Sequence, residues 1–417
     1  MYRGFRRRRY EQAKQNLSIS GPLIDSRVKM FVKMEGIKFS SEKINPSCRA
    51  IQFRSPEYQL QVACFIKPIE HLLYCSSGPY PYPASQFIAK NLNGVERAQL
   101  LWEKYANLPG CEILMLDASR FDGHVTPRLN SIEEHFYTTI CPDPFFRSLL
   151  KARKVNKGSA KGADFSVSYS LKGGRMSGDM DTASSNCLLM SSMLALLGST
   201  SCLSYDFLVD GDDSVFFYLG DTLTDDHIKE FFLECGMEMK IDKRTRDFWS
   251  LDFCQGKPVS LPGGISLVRD PIKVMSKAGI NDKFSDPLLR CRILEVICLG
   301  ELSLVKGCPI LQHFFDRLLY IARRSLGKKK RKKLKMEWMS YRQRNEFRGE
   351  WWKREVLPIT PEARETLSRA WGISIEEQLS LEKQIDGFDF DPMSTPIRGE
   401  GVDVSNWLFD AFTRESF

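Results

Sequence analysis

The sequence has no apolar run long enough to cross a bilayer as a helix. Its longest, residues 187–197, spans 11 residues and already contains two serines, against the roughly 20 that a helical span requires. The first residues, with Arg3 and Arg6 to Arg9, lack the apolar centre of a secretory signal. The 12 cysteines form no CxxC pair and no Cys/His cluster at zinc spacing. Scattered through apolar stretches at Cys64, Cys187, Cys202 and Cys298, they read as reduced packing residues of an intracellular protein. There is no Walker A loop, no glycine-rich strand-to-helix turn for a dinucleotide, and no repeat of fixed period. What remains is a chain of 417 residues, 42% hydrophobic. Such a composition excludes a wholly disordered chain, and the length exceeds what one core fills, so two or three subdomains are expected.

The net charge of +8 is unevenly placed. Residues 328–335 hold seven basic side chains in eight positions, and the amino-terminal block adds five more arginines. Without these two blocks the rest of the chain is mildly acidic. Concentrated positive charge of this kind suits a polyanionic partner, although solvated tails have the same composition.

Composition shifts divide the chain into three parts. Residues 1–106 are basic and loop-rich; residues 107–260 alternate short apolar strands with longer helical patterns; residues 261–417 are mostly helical and then charged. Residues 112–117 and 203–210 read as buried strands that end on carboxylates. Residues 179–197 read as a buried helix opened by Ser177, Gly178 and Asp179. Further helices are expected over residues 287–302 and 309–326, and another starting after Thr360 with Pro361 in its first turn.

The sharpest feature is a pair of acidic sites, Asp117 with Asp122 after one strand and Asp210, Gly211, Asp212 and Asp213 between two others. The second group falls in a hairpin, where an Asp-Gly pair is favoured. Three acids in such a turn are costly unless a cation neutralises them. Their hard oxygen ligands suit Mg²⁺, which uses one or two carboxylates plus phosphates and water. If the strand ending at Asp117 lies beside the hairpin, Asp117 and Asp212 can hold two ions about 4 Å apart, an arrangement that activates a hydroxyl and stabilises a leaving pyrophosphate. Between the acidic sites, Thr182 and Asn186 stand four apart on one helix face. Beside Asp122, Asn186 can form a polar pair that reads a ribose 2′-hydroxyl. Upstream, basic residues alternate with apolar ones from Lys29 to Arg54, which fits an extended segment with one cationic face for a triphosphate.

These motifs, in this order, resemble the RNA-dependent RNA polymerases of positive-strand RNA viruses, in particular the tombusvirus-like group (carmoviruses and relatives). Residues 117–125 are similar to that family's motif A, with Gly123 in place of its usual Gln. Residues 175–180 with Thr182 and Asn186 are similar to motif B, and Gly211, Asp212 and Asp213 to motif C, although Asp210 stands where Asn is often found. Residues 232–240 resemble motif D and residues 253–259 motif E. Residues 31–35 followed by 49–54 resemble motif F, with Phe53 in place of a frequent Pro, and residues 359–364 resemble the family's carboxy-terminal region.

The resemblance implies an α+β right-hand polymerase with fingers, an antiparallel palm sheet flanked by helices, and a mostly helical thumb. Residues 1–106 would form the amino-terminal fingers region, residues 107–260 the palm with a fingers insertion at about 126–171, and residues 261–417 the thumb and carboxy-terminal region. It implies metal ligation by Asp117 and Asp212 with Asp213 close by, two Mg²⁺ ions with Mn²⁺ able to substitute, and Lys240 as proton donor to pyrophosphate. Asp122, Ser177, Gly178, Thr182 and Asn186 would line the ribose pocket, and Lys33, Lys43, Arg49 and Arg54 the NTP entrance. Lys328, Lys329, Lys330 and Arg331 would track the RNA backbone. RNA template, nascent RNA and NTPs are the implied partners. Family members often begin with a membrane-anchoring region. The expectation is therefore a downstream product or fragment that works in the host cytoplasm at membrane-associated complexes, attached through viral or host replication proteins. Two other classes share some of these features. A reverse transcriptase is disfavoured by the polar Asp122 and Asn186 pair. A non-catalytic RNA-binding protein is disfavoured by the presence of Asp117, Asp212 and Asp213 together.

Overall fold

The structure, a computed structural model, describes residues 4–33, 49–162, 165–202, 204–220, 223–278, 286–327, 352–389 and 391–392. It is a mixed α/β fold. The described strands, in chain order, are β1 (Val28–Val32), β2 (Ala50–Arg54), β3 (Glu112–Ser119), β4 (Val155–Lys161), β5 (Ser166–Lys172), β6 (Ser204–Asp210), β7 (Asp213–Leu219), β8 (Glu238–Thr245), β9 (Gly256–Leu261) and β10 (Gly264–Arg269). They form a sheet of order β2-β1-β4-β5, a sheet of order β6-β7-β3-β8 and a β9–β10 hairpin. Contacts divide the chain into two compact units, residues 1–90 with 114–244, and residues 91–113 with 245–417.

In the first unit, β3 and β7 bury consecutive side chains on both faces. Leu114, Met115 and Leu116 of β3 and Val215, Phe216 and Phe217 of β7 are all nearly inaccessible, which is why these segments read as unbroken apolar runs rather than as an alternation. Helix Thr182–Ser201 is apolar on most of its circumference and packs Leu189, Met190, Leu194 and Leu197 into the same core. It begins three residues later than the sequence suggests. Residues 179–181 are drawn into turns because the Thr182 hydroxyl donates to the Met176 and Asp179 carbonyls (2.9 and 3.1 Å), while the Asp181 carboxylate is taken by arginines rather than by the helix start.

The other sheet of this unit turns the expected single extended segment into two paired strands. β1 runs antiparallel to β2 with Met30 opposite Gln52, and parallel to β4. Side chains directly opposite each other share a face. Lys29 therefore shares a face with Phe53, and the Lys33 N–H to Arg49 carbonyl bond (2.8 Å) continues that ladder. Arg54 pairs with Val28 on the other face and is 1% exposed, so the cationic residues do not form one face.

The second unit has its own core. Helices Pro287–Leu304 and Leu311–Leu326 pack Leu299, Leu302, Phe314 and Leu318 against Leu367 of helix Pro361–Trp371 and Ile385 of helix Ile375–Gly387. The Thr360 hydroxyl caps Ala363 N–H (3.1 Å) with Pro361 in the first turn, as the sequence suggests.

Candidate active site

The acidic turn is closed by Asp210 opposite Asp213, leaving Gly211 and Asp212 as a two-residue connection. Gly211 takes a φ of +83° with no atom near its absent side chain, so the requirement is conformational: the positive φ at the first turn position belongs to a Gly-first hairpin rather than an Asp-Gly one. Because β7 lies next to β3, this turn falls beside the end of β3. The Ser214 hydroxyl donates to the Leu116 carbonyl at 3.4 Å, placing the residue after Asp213 against the residue before Asp117. The Asp117 carboxyl is raised above the ordinary carboxylate range, chiefly by burial, then by repulsion from Asp212 and Asp242, with Lys240 opposing. Asp117 and Asp212 are thus brought within electrostatic reach of each other. Lys240, on β8 at the other side of β3, is exposed and ion-paired with Asp242, which raises its ammonium pKa. The nearby cation Arg244 is turned elsewhere, to the Tyr218 hydroxyl (2.8 Å) and Asp225 (3.0 Å).

Among the described residues no group of three or more His, Cys, Asp or Glu side chains is gathered for an ion. Two neighbouring carboxylates without a third are nonetheless the set that Mg²⁺ accepts when phosphate oxygens and water complete its shell. The repulsion that raises Asp117 is the cost a cation would relieve.

Asp122 is delivered by a sharp change of direction. Arg120 adopts a left-handed φ of +51°, and the four-residue helix Phe121–His124 follows. The Asp122 carboxylate accepts from Asn186 Nδ2 at 2.9 Å, and Asn186 Oδ1 accepts from Arg175 Nε at 3.1 Å. Arg175 is ion-paired with the fully buried Glu133. Asp181 receives Ser185 Oγ at 2.9 Å and is paired with Arg153. Burial by itself would raise the Asp181 carboxyl, but Arg153 and Arg175 hold it well below the usual range. Asp122 goes the other way: burial raises it, opposed by the Asn186 bond and Arg175.

Of the other expected ribose residues, Ser177 and Gly178 sit in a turn clasped to β2. Gln52 N–H donates to Ser177 Oγ (3.1 Å), Gly178 N–H donates to the Gln52 carbonyl (2.7 Å), and Gln59 donates to the Gly178 carbonyl (2.8 Å). Thr182 spends its hydroxyl on backbone carbonyls. Arg54 is buried, with Nε 2.7 Å from Asp179 and Nη2 2.7 Å from Asn156 Oδ1. Lys33 directly follows β1 and Arg49 directly precedes β2. Lys43, Lys328, Lys329, Lys330 and Arg331 lie outside the described residues. Sequence reasoning assigned no role to Glu133 or Arg175. The available signal was a Glu standing four residues from both Leu129 and Tyr137 on the buried face of helix Pro127–Ile140.

A family model described as viral RNA dependent RNA polymerase matches residues 1–391. The chain belongs to that family. The polymerase of groundnut rosette virus is 31% identical over 404 residues, which cover 93% of this chain and 45% of that protein. Those of tomato bushy stunt virus (28%, covering 97% of this chain and 48% of the relative) and turnip crinkle virus (28%, 99% and 52%) are also similar. All three carry the name RNA-directed RNA polymerase. The chain spans about half the length of the curated relatives it matches. The tombusvirus-like resemblance of the sequence motifs and the kinship of these polymerases therefore agree.

Proposed function

We propose that this chain catalyses template-directed RNA synthesis, transferring nucleotides from NTPs to an RNA 3′-hydroxyl during viral genome replication and transcription. The observation that carries the reading is the adjacency of Asp117, on β3, and Asp212, in the turn before the neighbouring strand β7, in the same unit as the partly buried Asp122–Asn186 pair. In right-hand terms, the β6-β7-β3-β8 sheet with helix Thr182–Ser201 is the palm, the β2-β1-β4-β5 sheet belongs to the fingers, and the helices of the second unit form the thumb.

Asp117 and Asp212, with Asp213 close by, hold divalent cations, Mg²⁺ by its fit to carboxylate and phosphate oxygens. When bound, such ions lower the pKa of the attacking hydroxyl and offset charge on the leaving pyrophosphate. Asn186 and Asp122 present a hydrogen-bonded pair to the ribose 2′-hydroxyl, and a deoxynucleotide leaves that pair unsatisfied. Lys33, Lys43 and Arg49 attract the triphosphate. Arg54 acts differently from an entrance residue: its ion pair with Asp179 holds the turn before the ribose-reading helix. Lys240 is protonated at neutral pH, as an exposed lysine ordinarily is, and it donates to the departing pyrophosphate. RNA template and product, NTPs, and viral or host proteins that attach the enzyme to membranes in the host cytoplasm complete the reading.

The test is primer extension by purified Asp212→Ala and Asp117→Ala proteins beside an RNA-binding measurement. Both variants should lose nucleotide addition while retaining fold and RNA binding, because the two acids chiefly repel each other without cations. Extension by Asp212→Ala at near the wild-type rate would remove the assignment.

A further inference from the structure

Asp210 is an acid that the two-carboxylate site does not use, although it stands two residues before Asp212. Its side chain is 8% exposed and ion-paired with Lys90. Lys90 reaches it through the backbone. The segment before it lies along β6, with Val209 N–H donating to the Phe87 carbonyl (3.0 Å), Ala89 N–H donating to the Val209 carbonyl (2.8 Å) and Ile88 bridged to Val209 in parallel. Phe87, Ile88 and Ala89 are all buried, so this added ladder is anchored and delivers Lys90 level with Asp210. The turn is also held from the helix side, where Gly211 N–H donates to Cys187 Sγ at 3.1 Å.

We propose that Lys90 is a positioning residue that neutralises Asp210, so that the turn offers Asp212, and not a further carboxylate, to the cations. A buried acid deprived of its cation must find another. The ions held by Asp212, two residues along the same turn, would then compete as a source of positive charge, and the turn would be drawn out of register with Asp117. This inference rests on the reading of Asp117 and Asp212 as cation ligands.

The experiment measures Mn²⁺ binding to the full chain without nucleotide, by electron paramagnetic resonance titration, together with the rate of single-nucleotide addition. Lys90→Met should bind Mn²⁺ about 10-fold more tightly, since the local charge becomes more negative, yet add nucleotides at least 10-fold more slowly. Asp210→Asn alone should move the affinity the other way, by about 3-fold, because the Lys90 charge is then uncompensated. The double variant Lys90→Met/Asp210→Asn should return both quantities to within about 3-fold of wild type. A role in stability alone would not tighten Mn²⁺ binding. Unchanged affinity in Lys90→Met, or a double variant that is not restored, overturns the proposal. If Lys90→Met does not fold, the double variant must fold for the pairing to stand. Asp212→Ala separates the two levels: if it binds Mn²⁺ like wild type, the ligand reading fails and the Lys90 proposal fails with it. If it loses binding while Lys90→Met behaves as wild type, only the Lys90 proposal fails.

Discussion

At the residue scale, side-chain chemistry in this molecule is decided by what each polar atom is bonded to. Asn186 is the clearest case. Its carbonyl oxygen accepts from Arg175 Nε, so its amide nitrogen is left to face Asp122. The pair is thereby oriented before any nucleotide arrives. Asn186→Ala should relax sugar selection more than it slows synthesis, costing about 1–3 kcal/mol of discrimination. The ratio of NTP to dNTP incorporation efficiency checks it; an unchanged ratio would reduce Asn186 to a helix-face residue. Asp181 supplies a pH prediction. Its carboxyl is held below the unfolded value, which lies near 3.9. The stability it contributes is complete above the unfolded value and is lost as pH falls through the folded one. Asp181→Asn should therefore be less stable at pH 7, by about 3–5 kcal/mol if the buried arginines are left uncompensated. Its stability should also vary less than that of wild type on acidification below about pH 4. Urea unfolding across that range reads both effects.

At the element scale, two turns depend on glycine for different reasons. Gly211 needs only its positive φ, since nothing surrounds the position of a side chain. Gly178 needs space: a Cβ there would lie 2.6 Å from the Gln52 carbonyl oxygen and 2.8 Å from Phe53 Cβ. The turn before helix Thr182–Ser201 is thus pressed onto β2, which links the strand carrying Arg54 to the helix carrying Asn186. Gly178→Ala should push the turn away from β2, with about 1–3 kcal/mol of overpacking cost. The expected outcome is a lower thermal midpoint together with a raised KM for NTP. A variant matching wild type in both would show that the clasp has no bearing on nucleotide binding. The same clasp explains why the helix starts at Thr182 and not at Asp179: the preceding residues are committed to β2, Arg54 and Arg153.

At the scale of the whole molecule, the chain divides into two compact units, each with a core among the described residues, and the acidic site with its ribose-reading pair falls in the first. The basic run at residues 328–335 lies outside the described residues, so its proposed role rests on charge. If it follows RNA phosphates, replacing Lys328, Lys329, Lys330 and Arg331 with Ala should weaken binding to all RNA sequences alike. It should also flatten the slope of log affinity against log salt by roughly 0.7 per lost single-strand contact. Nucleotide addition on a saturating preformed primer–template should change little. Binding curves that superimpose on wild type through a salt series would assign the run to solvent or to another partner.

The strand carrying Asp117, which runs on to Ser119, the strand ending at Asp210, the hairpin between β6 and β7, the buried helix and the helix start after Thr360 were legible because each depends on neighbours a few residues away. Apolar periodicity, turn chemistry and capping are local properties, and they survive in one dimension. The ion pairs were not legible. Arg54 read as one more cation on an exposed strand, yet it is buried against Asp179, 125 positions along the chain. Lys90 gave no signal that distinguished it from a solvated lysine, and Glu133 with Arg175 gave little more. Whether a charge is solvated or buried against a partner depends on which distant element covers it. That choice is made when the apolar faces pack and exclude water, and only afterwards does the desolvation cost force each buried charge to have its partner.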